Sequence, residues 1–535
     1  MMKMVPDKAK AAYAAACASL ALLIAPGAVP VAAAQAPQKG GTLVFVMSSD
    51  PTMTNPVLTT AFDVGQIGCA IYQGLTTLSP DGSVKPLLAK SWRISEDGRS
   101  YSFDLNAAKW QDGQAFTSAD VKYSLLEASS KYSAVFSAAA HSIDTIDTPA
   151  PDKVVIHLKQ PFGPLLISLS CTHGGAILPR HIFAGTDVPS NKASTTEPVG
   201  TGAFKLASWT RGDNIRLVRN PDYWEAGKPY LDEVIGKIIP QAAARSQALL
   251  AGAVDMVSYF AYPVTDYGLV RGRPDFKLTR SPVGPSQDMM FLNTKHAPLD
   301  DKRVRQALYI ALNREFILKS AFRGVGEVPR TPFGQGSWFA SKTIDYRTLY
   351  AYDPKRANAM LDEAGVPRGA NGYRFSLRYT YNADDAEAAS LGIAVQSMWR
   401  AVGVQVTLEP LERVSAVKRV YQDATFDVFT IAYTSYFDPA LGLARAWSSA
   451  TMGKPFGNPT GYSDPRVDDL LRQAANLTDQ AQRAQVYESV QHILADALPI
   501  FDLRDKVSYD ASTAALHGME GEVHLPTWRD AWLRK

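Results

Sequence analysis

The sequence predicts an α/β protein built of more than one domain. A chain of 535 residues exceeds what one hydrophobic core organises. Its 46% hydrophobic and 20% charged residues are the proportions of a soluble globular protein. Along almost the whole chain, short runs with a period of two alternate with stretches of helical period, the pattern of strands interleaved with helices.

The first stretch, 1–34, reads as a targeting segment. Lys3, Lys8 and Lys10 form a basic start, an Ala/Leu-rich run follows over 11–24, and Ala32-Ala33-Ala34 offers small residues to a signal peptidase. Pro26 and Pro30 break the apolar run, and its alanines are too weakly hydrophobic for a permanent span. Cys17 sits ahead of most of the hydrophobic run, the wrong place for a lipid-modified mature terminus. Export with cleavage after Ala34 is the expectation. Cys69 and Cys171 then enter an oxidising compartment, where they either pair or are buried separately.

A short apolar strand is expected over 42–47, a polar turn over 48–56 ending at Asn55-Pro56, and a helix over 65–74. Residues 87–128 hold two strand signals, two turns and a capped helix. Tyr101, Phe103 and Leu105 alternate with Ser100, Ser102 and Asp104, as in a half-buried strand. Asp112-Gly113 is a turn, and Thr117 with Asp120 three residues on is a variant capping box ahead of Val121, Ser124, Leu125 and Ala128 at helical spacing. A strand at 153–158 and a helix at 161–169 follow. Gly200-x-Gly202 lacks a third glycine and precedes strands, so it reads as a tight turn between strands where two backbones approach, not a nucleotide loop.

Strand 235–239, helix 242–251 and strand 253–256 continue the alternation, and 288–293 is a buried strand. Asp300 and Asp301 open a helix whose Val304, Ala307, Leu308 and Ala311 share a face. Helices are expected at 353–364 and 385–401, strands at 373–379, 404–408 and 426–431, and a helix pair across 463–494 linked near Thr478-Asp479. The stretch 499–507 reads as a return of the chain towards its first half. No repeat or low-complexity linker follows residue 40.

Net charge is +3, and the chain beyond its basic start is close to neutral with no basic run, which disfavours a nucleic-acid partner. Histidines are scattered, with no H-E-x-x-H and no tight Cys/His cluster, so neither a metal site nor another cofactor is called for. There is no G-x-S-x-G elbow and no Walker-type loop. Acid pairs such as Asp300/Asp301 and Asp384/Asp385 fall at predicted helix starts, where capping accounts for them. Nothing in these patterns asks for an enzyme.

The order Ser91-Trp92-x-Ile94-Ser95-x-Asp97-Gly98, then Tyr101-x-Phe103-x-Leu105, then Lys109-Trp110-x-Asp112-Gly113 and Phe116-Thr117-x-x-Asp120-Val121-x-Tyr123-Ser124 resembles the signature of the extracellular solute-binding proteins of family 5. The resemblance extends over 40–535. It implies a periplasmic-binding-protein-like fold of the cluster C type: two α/β lobes joined by a strand hinge, the first lobe with an inserted subdomain. Lobe I would comprise 35–75, 195–285 and 498–535, the inserted subdomain 76–194, and lobe II 286–497. It also implies a monomeric periplasmic receptor that takes a small peptide or peptide-like, opine-like solute in the inter-lobe cleft and hands it to an inner-membrane ABC permease. A secreted hydrolase with two carboxylates about 5 to 10 Å apart is the rival reading.

The resemblance places ligand contacts in the loop carrying Ser49 and Asn55, at Tyr381 and Asn382, along Tyr433-Thr434-Ser435-Tyr436-Phe437-Asp438 before Pro439, and at Trp447. Peptide-binding members of the family carry an acid four positions before that proline to pair the peptide amine; here the position is Ser435. Dipeptide-type members carry an arginine for the ligand carboxylate where this chain has Tyr381 and Asn382. A hydroxyl cannot neutralise an ammonium, so a simple dipeptide would leave its charges unmatched unless Asp50 or Asp438 rescued the amine. Tyr433, Tyr436, Phe437 and Trp447 are candidate stacking walls.

Overall fold

The computed structural model describes residues 36–520, 523 and 525–535. The expected targeting segment 1–34, with Cys17, lies outside them.

Two large mixed sheets organise the chain. The first has seven strands in the order Phe276–Arg280, Tyr509–Thr513, Met256–Val257, Thr42–Met47, Glu233–Ile238, Asn214–Arg219 and Phe204–Thr210. The second has five, in the order Val404–Leu411, Phe375–Asn382, Val428–Thr434, Ser286–Leu292 and Ile500–Asp505. In the first, parallel pairs lie at the centre with antiparallel pairs on either side; in the second, the parallel pairs run from the Val404–Leu411 edge and the antiparallel pairs end at Ile500–Asp505.

The strand Ser286–Leu292 shows why its sequence is apolar without interruption. Side chains of a strand point alternately to opposite faces. Met290 and Leu292 enter one core with Leu308 and Val395, from helices Lys302–Ile310 and Ala386–Ala401. Met289 and Phe291 enter another with Leu471 and Val490, from Pro465–Asn476 and Gln480–Ala497. A sheet covered by helices on both faces needs hydrophobic residues at every position. The same division runs through Thr42–Met47, where Leu43, Phe45 and Met47 share one core and Val46 lies in another.

A separate four-stranded antiparallel sheet, Ala89–Ile94, Ser100–Leu105, Lys153–Leu158 and Ile143–Ala150, has its own core around Tyr101, Phe103, Trp110 and Val121. Here the expected alternation appears directly: Tyr101, Phe103 and Leu105 are buried while Ser102 and Asp104 are exposed. The Thr117 backbone N–H donates to Asp120 Oδ2 at 2.8 Å, closing one half of the predicted capping box. Asp301, Asp353, Asp385 and Asp479 each cap a helix by accepting from a backbone N–H, so the acids at predicted helix starts serve helix termini.

Gly200 and Gly202 press against the end of helix Phe62–Ile71. A Cβ on Gly200 would stand 1.8 Å from the Ile71 carbonyl oxygen, and the Gly202 N–H donates to that oxygen at 2.8 Å. The backbone they approach belongs to this helix end rather than to a neighbouring strand of the turn. Cys69 and Cys171 form a disulfide, joining the helix to the turn Cys171–His173.

Three expectations shift. The helix expected over 161–169 is a single turn, Leu165–Ser168, because the Gly163 N–H leaves the helical pattern to reach the Ala475 carbonyl at 2.8 Å. The strand expected at 253–256 is Met256–Val257, since Asp255 is occupied in bonds to Val44 through its backbone N–H and its carboxylate. The stretch after residue 498 does not return at once to the first sheet. Ile500–Asp505 adds to the second, and the chain re-enters the first only at Tyr509–Thr513.

Candidate functional site

The chain passes between the two sheets twice, along 281–286 and along 506–508. These passages lie side by side: the Ser281 N–H donates to Ser508 O and the Lys506 N–H to Ser286 O, both at 2.8 Å. Together they form a two-stranded ribbon.

Against this ribbon lies a cleft of about 580 Å³. The first-sheet side supplies Phe62, Tyr259 and Phe260, the second Glu387, Thr434 and Tyr436. Phe260 is 57% exposed although it is a large apolar ring. It stacks on Phe62 with centroids 4.7 Å apart, and Tyr259 meets Phe62 edge-on at 5.3 Å. This makes a flat apolar shelf open to a ligand. Opposite, the Tyr436 ring stands edge-on to His173 at 6.0 Å.

The charged part of the cleft is a cluster on the second sheet. Arg504 donates to Asp288 Oδ2 at 2.5 Å and to Glu387 Oε2 at 2.6 Å, with its guanidinium 3.8 Å over the Phe322 ring. Burial works to release the Arg504 proton, but Asp288 and Glu387 outweigh it and hold the group above its ordinary value. Lys506 stands 3.7 Å from Asp288, too far for a good hydrogen bond, so its ammonium keeps donors for a ligand anion. Glu387 is bound to Arg504 and is not free to pair an amine.

The strand Val428–Thr434 runs further than its sequence indicates and delivers the loop that follows it to the ribbon. Thr434 Oγ1 donates to Ser286 Oγ at 3.1 Å. Ser435 is fully buried; its N–H donates to Pro285 O at 2.8 Å, and its hydroxyl finds no partner among the described residues. Tyr436 and Phe437 both have positive φ, 53° and 66°, a strained state for bulky residues that sends their rings in different directions. Tyr436 lines the cleft, and Phe437 lines a neighbouring cavity.

Of the residues singled out from sequence, Thr434 and Tyr436 reach the cleft. The others hold the frame. Asp438 is fully buried, and Arg483 grips it through both oxygens at 2.5 and 2.7 Å, so it cannot pair a ligand amine. Asp50 accepts from the Trp209 indole and the Gly212 N–H. Ser49 donates to Asp63, and Asn55 is buried against Ser194. Tyr433 donates its buried hydroxyl to Phe456 O, Trp447 packs on Phe333, Tyr381 packs on Tyr379, and Asn382 is buried. The sequence reading missed Phe260, Arg504 and Lys506. The available signal was Arg504-Asp505-Lys506, two cations on one face at the end of an otherwise apolar strand.

The chain matches the family model of bacterial extracellular solute-binding proteins, family 5 Middle, over residues 83–454. The oligopeptide-binding protein AppA of Bacillus subtilis is 28% identical over 477 residues, covering 86% of each chain. The probable D,D-dipeptide-binding periplasmic protein DdpA of Escherichia coli is 29% identical over 486 residues, 89% of this chain and 90% of its own. Among solved structures, the binding protein AgaA in complex with agropinic acid, from A. tumefaciens R10, superposes with a TM-score of 0.72 at 26% identity, covering 92% of this chain and 99% of that one. Its members are binding proteins, and this chain belongs to the bacterial extracellular solute-binding proteins of family 5.

Proposed function

We propose that this protein is the exported receptor of an ABC importer, cleaved near Ala34 and acting as a periplasmic monomer that delivers its solute to an inner-membrane permease. Its solute is a small peptide-like or opine-like acid held in the cleft between the aromatic shelf and Lys506. Relatives named for oligopeptides, D,D-dipeptides and agropinic acid support the solute class.

The observation that carries the reading is the charge balance of the cleft. Lys506 offers a cation to a carboxylate, whereas the one lining carboxylate among the described residues, Glu387, is already bound to Arg504. A free ammonium would be desolvated there without a counter-charge. The ligand is therefore an acid whose amine is blocked or absent.

Calorimetric titration of free dipeptides against their N-acetyl counterparts tests this. The acetylated forms should bind at least tenfold more tightly, and Lys506→Gln and Phe260→Ala should each weaken them. Submicromolar affinity for several free dipeptides, unaffected by Phe260→Ala, would sink the reading.

A further inference from the structure

A second cavity, of about 310 Å³, adjoins the same ribbon. It shares with the cleft only Val283, Ser286 and 506–508, all of them ribbon residues. Every other wall differs: Pro80 and Asp81 on one side, Gly334–Phe339 and Phe437 on the other. The ribbon thus stands between two separate chambers.

The second chamber holds an unusual group. Asp505 is 7% exposed and lines it. Its carboxylate accepts from the Gln287 side-chain amide at 3.0 Å and the Gln335 N–H at 3.1 Å, both neutral donors. No cation stands within ion-pair distance of it among the described residues. Of the two cations that also line the chamber, Arg280 pairs with Glu327 at 3.6 Å, and Lys506 lies nearest Asp288, at 3.7 Å. Gln287 is fully buried, and its carbonyl oxygen has no hydrogen-bond partner. Asp505 lines the chamber beside Gly334, where a Cβ would stand 3.6 Å from Asp505 Oδ1, and Gln287 lies behind them, 3.5 Å from the same point. Trp338, Phe339 and Phe437 add aromatic surface.

A buried carboxylate held only by neutral donors and aromatic walls beside it together make a receptacle for a positively charged donor. We propose that this chamber binds a small organic cation, a primary ammonium or a guanidinium, with its N–H groups on Asp505 and its carbon skeleton against the aromatic walls. The cation is either a free molecule or the charged end of a solute whose acid end lies in the cleft.

Calorimetry with two probes separates these sources. Methylguanidinium chloride represents the free cation, and N-acetyl-arginine carries a guanidinium and a carboxylate on one molecule. Asp505→Asn keeps the shape and removes the charge, and Ser337→Leu narrows the chamber while leaving Asp505 in place; thermal melting confirms that each is folded. Methylguanidinium binding that falls at least tenfold in both variants and persists in Phe260→Ala establishes a site independent of the cleft. N-acetyl-arginine binding that falls at least tenfold in Asp505→Asn and also in Phe260→Ala establishes the chamber as the far end of the solute site. If neither probe binds more weakly to Asp505→Asn than to the natural protein, the proposal is wrong, and the cleft reading stands on its own titrations.

Discussion

Replacing Asp438 by Asn separates a ligand contact from a structural one. Asp438 is fully buried, its charge is met by Arg483, itself buried, and the pair shares two hydrogen bonds. The guanidinium also donates to Ala474 O at 2.7 Å, at the end of helix Pro465–Asn476, and lies 5.1 Å from the Trp338 ring. Burial favours loss of the Arg483 proton, but Asp438 overrides it and holds the group far above its ordinary value. Asn in place of Asp438 would leave this cation buried without its partner, a cost of about 3 to 5 kcal/mol. With an unfolding entropy near 2.1 cal/mol/K per residue over about 500 ordered residues, each kcal/mol corresponds to about 1 °C. Scanning calorimetry should therefore show Tm lower by about 3 to 5 °C. The double variant Asp438→Asn/Arg483→Met should recover most of the loss, because no buried charge remains. Solute affinity in the folded variant should change less than about threefold. A melting temperature within about 1 °C of the natural protein, together with a large loss of affinity, would refute the assignment and return Asp438 to the ligand.

Replacing Cys69 and Cys171 by Ser opens a link between residues 102 apart, which by loop-closure entropy is worth about 4 to 5 kcal/mol and should be read as a lower urea midpoint. Gly200→Ala places a methyl group 1.8 Å from the Ile71 carbonyl and should destabilise by about 3 kcal/mol, while Gly268→Ala, with nothing within 4 Å, should not; a like effect of both would show the approach at Gly200 to be wrong. Burial raises the Asp505 carboxyl to about 7 and Asp510 to about 6, against opposing hydrogen bonds from Gln335 and Gln287 on the first and Tyr259 and Ser281 on the second. Both folded values lie above the unfolded ones, so the stability they contribute is present below the ordinary carboxylate range and lost as pH rises through 6 and 7. Asp505→Asn should flatten the fall in Tm between pH 5.5 and 8; an unchanged pH slope would mean that Asp505 ionises normally.

Much of the fold could be read from residue order because it rests on local rules. Tyr101-Ser102-Phe103-Asp104-Leu105 declares a half-buried strand, and Asp301, Asp353 and Asp385 declare helix starts whatever lies around them. Long-range pairing was less visible. Ile500, Phe501 and Leu503 would suit a strand of either sheet, and only the register of Ile500–Asp505 with Ser286–Leu292 assigns it to the second. The site was harder still. Asp438 looks from sequence like an acid beside a ligand loop, and its neutralising partner is Arg483, distant in the chain and brought close by a helix. Lys506 belongs to the cleft because the ribbon carries it there. Along the chain only its closeness to Arg504 sets it apart from any surface lysine.

The ribbon also has a mechanical side. Pro282 and Pro285 lock φ at their positions, and Gly284 between them sits at φ 77°. The paired passage is stiff along its length, with one pliant joint. Flexing the strip out of its own plane keeps both cross-links, Ser281 to Ser508 and Lys506 to Ser286, whereas sliding one strand along the other breaks them together. It behaves as a leaf spring. Motion of the two sheets about this joint is therefore expected to follow one rocking coordinate, which a pair of dyes placed across it should trace with a single distance.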